Sequence, residues 1–397
     1  MDPVKNPYQP GAGTRPPELA GRDSVRESVR IAMERLVQGR HAKSSILVGL
    51  RGVGKTVLLH QMQTDAEGAG LRCVAIEAPE GRSLPGLLAP SLRAVLIRIS
   101  TIERAKQSGN RALRALAGFV GGLKAKYQDI ELRLDFTAEP GLADAGDLER
   151  DLQDLLLMCG EAARAADTAI VMFIDELQYV EEDELGALIV GLHAVSQRGL
   201  PVSLVAAGLP QLRAQLGNAK SYAERMFEFP EIGPLEPEDA KSAIVKPARE
   251  EGVAFEVAAI EAILSRTQRY PYFLQEWGKN AWDVADASPI SRSDVDVASE
   301  IAVASLDASF FRVRFDRLTP AEKRYVRAMA ELGPGPHRSG DVASELDRRV
   351  QSLGPTRSSL IRKGMVYSPS HGDTAFTVPL FDEFMKRIMP DDDWRSA

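Results

Sequence analysis

The sequence predicts an α/β protein: a doubly wound parallel sheet, then an all-helical segment, then a helix-turn-helix closed by a short hairpin. Three observations carry this reading. The apolar runs SSILVGL, LRCVAIEAP, AIVMFIDE and PVSLVAAGL alternate with stretches of helical periodicity, the pattern of βαβ units. The first of these runs leads straight into a glycine-rich turn and a helix. From Leu235 the strand pattern ceases and only helical spacing continues until a final pair of short strands. A length of 397 residues suits two or three domains, with units expected over residues 1–234, 235–306 and 307–397.

Taken in order, residues 1–20 are rich in proline and glycine and read as an extended lead-in. Val25, Val29, Ala32, Met33 and Leu36 recur at helical spacing, so a helix is expected over residues 22–38. SSILVGL reads as a buried parallel strand, and TVLLHQMQTDAEG as a helix stopped by Gly68 and Gly70. LRCVAIEAP is a second strand. Residues 84–126 are helical with a break expected at Ser108-Gly109-Asn110, and IELRLDF alternates like a half-buried strand. A helix at 147–166 precedes AIVMFIDE, a third strand ending in two acids. A helix at 183–198, the strand PVSLVAAGL, a short helix near 210–217 and a fifth strand around MFEFPEI follow. Helices are then expected at 237–251, 256–267, 272–286 and 293–304, and again at 320–331, 339–350 and 355–363. MVYSPSHGDTAFTV reads as two short strands around a Gly-Asp turn.

Composition bounds the function. Hydrophobic residues make up 44% and charged residues 26%, ordinary for a globular protein able to bury a core. A formal net charge of -7 argues against a surface devoted wholly to nucleic acid, yet leaves room for a local basic patch. Cys73 and Cys159 sit in apolar stretches outside any CxxC or Cys/His cluster, and read as buried free thiols of a reducing compartment. No apolar run approaches the roughly 20 residues that span a bilayer, and the first residues lack the apolar core of a secretory signal. A cytoplasmic protein without membrane contact is expected.

The chemistry concentrates in one loop. Gly49-Leu50-Arg51-Gly52-Val53-Gly54-Lys55-Thr56, with Val57 behind it, fits GxxxxGK[ST] between an apolar strand and a helix. Its glycines let the backbone aim N–H groups at phosphate oxygens in front of a helix N-terminus. Lys55 is expected on the β- and γ-phosphates of ATP, and Thr56 on Mg²⁺. The strand ending in Asp175 and Glu176 offers one carboxylate to the magnesium shell and another to polarise an attacking water. Read without the loop, the same pair is a set of acids opening a helix. No NKxD-type guanine motif is present, which points to ATP rather than GTP.

With these motifs the sequence resembles the AAA+ ATPases of the initiator or origin-recognition type and the related STAND signalling ATPases. The resemblance covers nearly the whole chain, through Pro16-Pro17-Glu18-Leu19-Ala20-Gly21-Arg22, GLRGVGKT, FIDELQ, AAGLP and the helices that follow. It implies a P-loop NTPase parallel sheet with a helical lid and a C-terminal winged helix-turn-helix. It further implies nucleotide contacts near Leu19, Gly21 and Arg22, and a lid proline, Pro271 in TQRYPYFLQEWG, over the nucleotide. Gln268-Arg269 stand where a glycine pair is usual, and Arg269 is either a phosphate sensor or an exposed side chain. Ala206-Ala207-Gly208 occupy the place of a polar sensor, so that group is absent or supplied from elsewhere. Arg225 resembles the arginine finger that reaches a neighbour's γ-phosphate in a nucleotide-dependent homo-oligomer; its plainer role is a surface ion pair.

RSGDVASELDRRVQSLGPTRSSLIRKGMVYSP resembles the two helices and wing of a winged helix. Arg357, Ser358, Arg362 and Lys363 would lie on or at the end of the helix that enters a DNA major groove. Between Gly335 and Ser370 six bases oppose three acids, a local excess of +3. The expected protein is an ATP-driven switch or loader acting with double-stranded DNA. Two alternatives stand beside it: a STAND-like regulator that turns over slowly and signals to a protein partner, and a scaffold that binds ATP and hardly hydrolyses it.

Overall fold

A computed structural model describes residues 1–11, 13–127, 129–130, 136–390 and 392–395. At its centre lies a parallel sheet in the order β2-β3-β4-β1-β5. The strands are β1 (Ser44–Val48), β2 (Arg72–Glu77), β3 (Ile170–Asp175), β4 (Val202–Gly208) and β5 (Phe227–Glu228). The parallel α/β class expected from the alternating pattern is the one found. β3 and β4 are buried at every residue, which is why they read as unbroken apolar runs.

Side chains alternate across the sheet, so it carries a core on each face. Leu47, Phe173, Val205 and Ala207 share one core with α1 (Asp23–Val37) and α2 (Lys55–Gly68). Ile46, Met172, Ile174 and Leu204 share the other with α3 (Leu84–Ser100), α4 (Lys106–Leu123), α5 (Leu148–Ala165) and α6 (Glu182–Gln197). The break between α3 and α4 falls at 101–105, not at Ser108-Gly109-Asn110. Gly109 lies inside α4 because a Cβ there would come within 2.9 Å of Ser100 Cα; it permits a close approach instead of ending the helix. Residues 131–135, most of the expected strand IELRLDF, lie outside the described residues. No single described helix is long and apolar enough to cross a membrane; α3 and α4 are bent by 120° and lie in the second core.

After β4 come α7 (Leu212–Ala219) and α8 (Ala223–Met226). β5 is shorter than MFEFPEI suggests because Pro230 has no N–H for the ladder. Its carbonyl still accepts from Val48 N–H at 3.0 Å, and Ile232 N–H donates to Val48 O at 2.7 Å.

Helices α9 (Pro237–Glu250), α10 (Val257–Arg266), α11 (Pro271–Val284) and α12 (Arg292–Leu306) form the helical segment. A π-helical turn at Asp307–Phe311 carries α12 directly into α13 (Arg312–Asp316). The last unit contains α14 (Pro320–Leu332), α15 (Ser339–Glu345), α16 (Val350–Arg362) and α17 (Phe381–Ile388). Beside them lies an antiparallel sheet in the order β6-β8-β7, from β6 (His337–Arg338), β7 (Val366–Tyr367) and β8 (Asp373–Phe376). The turn between α15 and α16 falls before Val350, earlier than Gly354-Pro355 suggests. Asp347 takes φ 49° and lets Arg348 N–H close α15 on Ala343 O at 2.9 Å. Gly354 and Pro355 then run inside α16.

The first core continues through Phe273, Trp277, Phe311, Phe381 and Phe384, joining sheet, helical segment and last unit. The lead-in is strapped across the helical segment. Asn6 Nδ2 donates to Lys279 O at 3.0 Å, Trp282 Nε1 donates to Asp2 O at 2.9 Å, and the Tyr8 ring fills the space left by Gly278.

Candidate functional site

The loop after β1 opens into a cavity of about 540 Å³, within the roughly 300–1,000 Å³ of small-molecule sites. Gly52 and Gly54 take φ of 80° and 86°, left-handed values that curl the loop and that other residues resist. Gly54 caps α2 with no side-chain hydrogen bond, so the first N–H groups of that helix are left for a ligand. Arg51, Gly52, Val53, Gly54, Lys55, Thr56 and Val57 all line the cavity. Gly49 does not; a Cβ there would come within 2.1 Å of Ile232 O, so its role is to admit the neighbouring chain.

Lys55 is 8% exposed and donates from Nζ to Gly49 O at 2.9 Å and Leu50 O at 2.8 Å. Burial pushes its pKa down to about 8, against the pull of Glu176 and Asp175. Thr56 Oγ1 donates to Asp175 Oδ2 at 2.6 Å. Burial raises the Asp175 pKa, and the Thr56 hydrogen bond opposes that rise. These two hard oxygen donors fit a Mg²⁺ that keeps several waters and arrives with phosphate oxygens. Among the described residues no group of three or more His, Cys, Asp and Glu side chains could hold a metal alone.

Glu176 stands in a left-handed conformation, φ 53°, just past β3. Its carboxylate accepts from Gln178 Nε2, and Arg51 lies 3.9 Å away. Gln178 is buried, and its Oε1 accepts from Leu209 N–H at 3.0 Å. A Cβ on Gly208 would come within 2.7 Å of that oxygen. The polar group beside Ala206-Ala207-Gly208 is therefore Gln178, reaching across from the loop after β3. Nothing in the β4 sequence marks it; the Gln after Asp-Glu-Leu was its one trace.

Of the residues ahead of α1, Leu19 and Arg22 line the cavity and Gly21 does not. The Arg22 guanidinium donates to Val53 O at 3.2 Å and Gly233 O at 2.6 Å, so it shapes the loop from behind. Gly21 turns at φ 67° against Asp239. Pro271 lines the cavity, and Tyr272 N–H donates to Gly52 O at 3.1 Å, pinning α11 to the loop. Arg269 is left-handed at φ 61°, as is Gln268 at 48°, in the place where glycines were expected. Neither lines this cavity. Arg225 is exposed at the end of α8, outside the cavity, with no ion pair or side-chain hydrogen bond among the described residues.

Two parts of the wall escaped sequence reasoning. Gln9–Gly11, Gly13 and Thr14 come from the lead-in, Ser309 and Phe310 from the π-turn after α12, and Val313 and Arg314 from α13. The Phe310 ring stacks on Tyr272 at 4.8 Å. The last unit also touches the loop directly: Arg51 N–H donates to Thr377 O at 2.9 Å, and a Cβ on Gly364 would come within 3.1 Å of Arg51 Nη2.

In the helix-turn-helix, Ser358 and Arg362 are exposed. Arg357 donates to Thr374 Oγ1 at 2.7 Å, Ser368 Oγ at 2.8 Å and Asp373 O at 2.7 Å, which fastens α16 to the hairpin. Lys363 donates to Glu322 Oε2 at 2.7 Å and Arg317 O at 2.9 Å. Burial works to raise the Glu322 pKa, but the Lys363 ammonium and the Thr319 and Ser359 donors hold it down to about 2.

Fold, loop and carboxylates define a class, the parallel α/β P-loop NTPases. Within it, residues 18–205 match the family model of the AAA ATPase domain. Residues 308–385 match a model described as Domain of unknown function (DUF8462). Among solved structures, the Walker-type ATPase PABY2304 of Pyrococcus abyssi is 15% identical, with a TM-score of 0.58 over 94% of this chain and 97% of that one. It shares the fold across both lengths. Two others align at lower TM-scores. The Thermotoga maritima RuvB Holliday junction branch migration motor is 17% identical over 92% and 96% of the two chains, at 0.45. Cdc6p from Pyrobaculum aerophilum is 14% identical over 98% and 99%, at 0.47. No curated protein matches the chain.

Proposed function

We propose that the chain is an Mg²⁺-dependent, ATP-hydrolysing switch whose C-terminal unit, read as a winged helix, carries the nucleotide state to DNA. The observation that carries this reading is the direct bond between the two ends of the device. Arg51, inside the phosphate loop, is hydrogen-bonded at 2.9 Å to Thr377 of the C-terminal unit. A loop reshaped by a triphosphate would alter that seat and with it how the unit is presented.

In this reading the α2 N-terminus and Lys55 hold the phosphates, and Thr56 with Asp175 holds the Mg²⁺, which when bound neutralises charge on the transferring group. Glu176 orients the attacking water, and Gln178 fixes the carboxylate that does so. Catalysis is then positioning plus electrostatics. A second reading is favoured by Arg357 and Lys363, whose cations are already paired within the unit. On that reading the C-terminal unit meets a protein, as in a STAND-like regulator, and turnover is slow. Arg225, exposed and unpaired among the described residues, supports a finger offered to a second subunit in an ATP-dependent homo-oligomer.

The deciding measurement is the MgATP hydrolysis rate with and without duplex DNA, for the wild type and Glu176→Gln. Hydrolysis that Glu176→Gln abolishes and duplex DNA changes supports the DNA switch. Hydrolysis indifferent to DNA supports the protein-facing reading, and none at all overturns both.

A further inference from the structure

We propose that Arg314, on α13 between the helical segment and the last unit, is a ligand of the triphosphate's terminal phosphate. This rests on reading the cavity as an ATP site. Arg314 lines the cavity together with Arg51, Lys55 and Glu176. It donates to Phe310 O and lies 4.1 Å from the centroid of the Phe310 ring, which props the guanidinium in place.

What singles it out is the company it lacks. Its neighbours on the same stretch all have carboxylates: Arg312 with Asp316 at 3.1 Å, and Arg317 with Glu80 at 2.6 Å. Arg314 has no carboxylate within ion-pair distance among the described residues, although it is the most enclosed of the three. Burial lowers its pKa to about 10, and the like charge of Arg51 adds to that; Tyr272, Tyr179 and Glu176 pull the other way. Packing Arg51, Lys55 and Arg314 around one cavity is unfavourable in the empty protein and becomes favourable once a polyanion enters. A planar guanidinium suits two phosphate oxygens at once.

The position selects the terminal phosphate. Arg314 lines the same cavity as Arg51 and Glu176, which lie 3.9 Å apart, and on the ATP reading Glu176 faces the terminal phosphate. ADP has no group there. Because α12 runs through the π-turn into α13, this contact would tie the helical segment and the C-terminal unit to the presence of a γ-phosphate.

The test compares the affinity of the full chain for ATPγS and ADP, both with Mg²⁺, in the wild type, Arg314→Gln, Arg314→Lys and Lys55→Met. Arg314→Gln is expected to weaken ATPγS about ten-fold or more while ADP moves by less than about three-fold, with Arg314→Lys between. The melting temperature without nucleotide should stay at or above that of wild type in both Arg314 variants. Equal weakening of both nucleotides, or an unchanged ATPγS affinity, overturns the assignment, as does a parallel loss of melting temperature. A wild type that binds neither nucleotide, or binds as well after Lys55→Met, overturns the ATP reading itself.

Discussion

Past α12 the chain presents positive charge at two places that behave differently. On α16 and just beyond it, Arg357 and Lys363 bind Thr374, Ser368, the Asp373 carbonyl and Glu322. On α13, Arg314 lines the cavity, bonded to Phe310 O and without an ion-pair partner among the described residues. The first pair looked like a recognition surface because bases cluster there in the sequence; the second gave no such sign. A cation with satisfied partners stabilises its own unit. A cation enclosed without a carboxylate is open to an anionic ligand. Arg22 and Lys55 are a closer pair at the loop: both are buried, both are lowered in pKa by burial and each donates to two carbonyls, but Lys55 also feels the carboxylates of Glu176 and Asp175.

The sharpest way to break this contrast is Lys55→Met. Nucleotide affinity should fall by about 100-fold or more, measured by titration calorimetry with MgATP. The nucleotide-free protein should meanwhile become more stable. Burial lowers Lys55 from an ordinary 10.5 to about 8 in the folded chain. Between those values the folded state binds fewer protons than the unfolded state, so wild-type stability rises with pH across that window. Below it the cost of burial is fully present. Lys55→Met should therefore raise the melting temperature at pH 7, by up to about 3 kcal/mol in stability, and the gain should shrink above pH 8. A variant less stable than wild type at pH 7 would make Lys55 a structural residue like Arg22.

Next in size is Glu176→Gln. Hydrolysis should drop by about 10²–10³-fold while ATP affinity is retained, since the amide keeps shape and loses the charge that orients water. Gln178→Ala should lower turnover less, because it removes the donor to Glu176 but leaves the carboxylate. Equal losses from the two would place the catalytic weight on the Gln178 bridge between Glu176 and Leu209.

Arg357→Ala and Arg362→Ala test the other half of the comparison. Arg357→Ala breaks three hydrogen bonds and should destabilise the C-terminal unit by about 1–3 kcal/mol, read by thermal melting. Arg362 is exposed, and its loss should stay within about 0.5 kcal/mol. A duplex-binding defect in Arg357→Ala alone would thus be a folding defect. A defect in Arg362→Ala, with the salt dependence of binding reduced by about one ion, would place DNA on α16.

How far the sequence could be read follows from the range of the interactions involved. The grouping of the loop, Lys55, Thr56, Asp175 and Glu176 was legible because phosphate and Mg²⁺ chemistry asks for fixed residue types at fixed local spacing. The parallel sheet was legible because strands buried on both faces must be apolar throughout. Gln178, Arg314 and the lead-in wall were not, since each acquires its role from a residue far away in the chain. The shift of the α15–α16 turn had a local cause, but Asp347 in a left-handed conformation is a weaker signal than Gly354-Pro355, which the helix absorbed.

Arg225→Ala should have the smallest effect on the isolated chain, and it sharpens the comparison furthest. Like Arg314, Arg225 has no ion-pair partner among the described residues; unlike Arg314, it is exposed and outside the cavity. An exposed arginine needs no partner, because water solvates it, so its lack of one is far weaker evidence of a ligand than enclosure is. If Arg225 is a finger, its loss should change hydrolysis only at protein concentrations where subunits associate. Rates measured across a dilution series, beside sedimentation with ATPγS, would show a defect that disappears on dilution. A defect of equal size at every concentration would place Arg225 within its own subunit, and no defect would leave it a surface residue. Arg314→Gln should impair ATPγS binding to the same degree at any dilution, because its cavity lies within one chain.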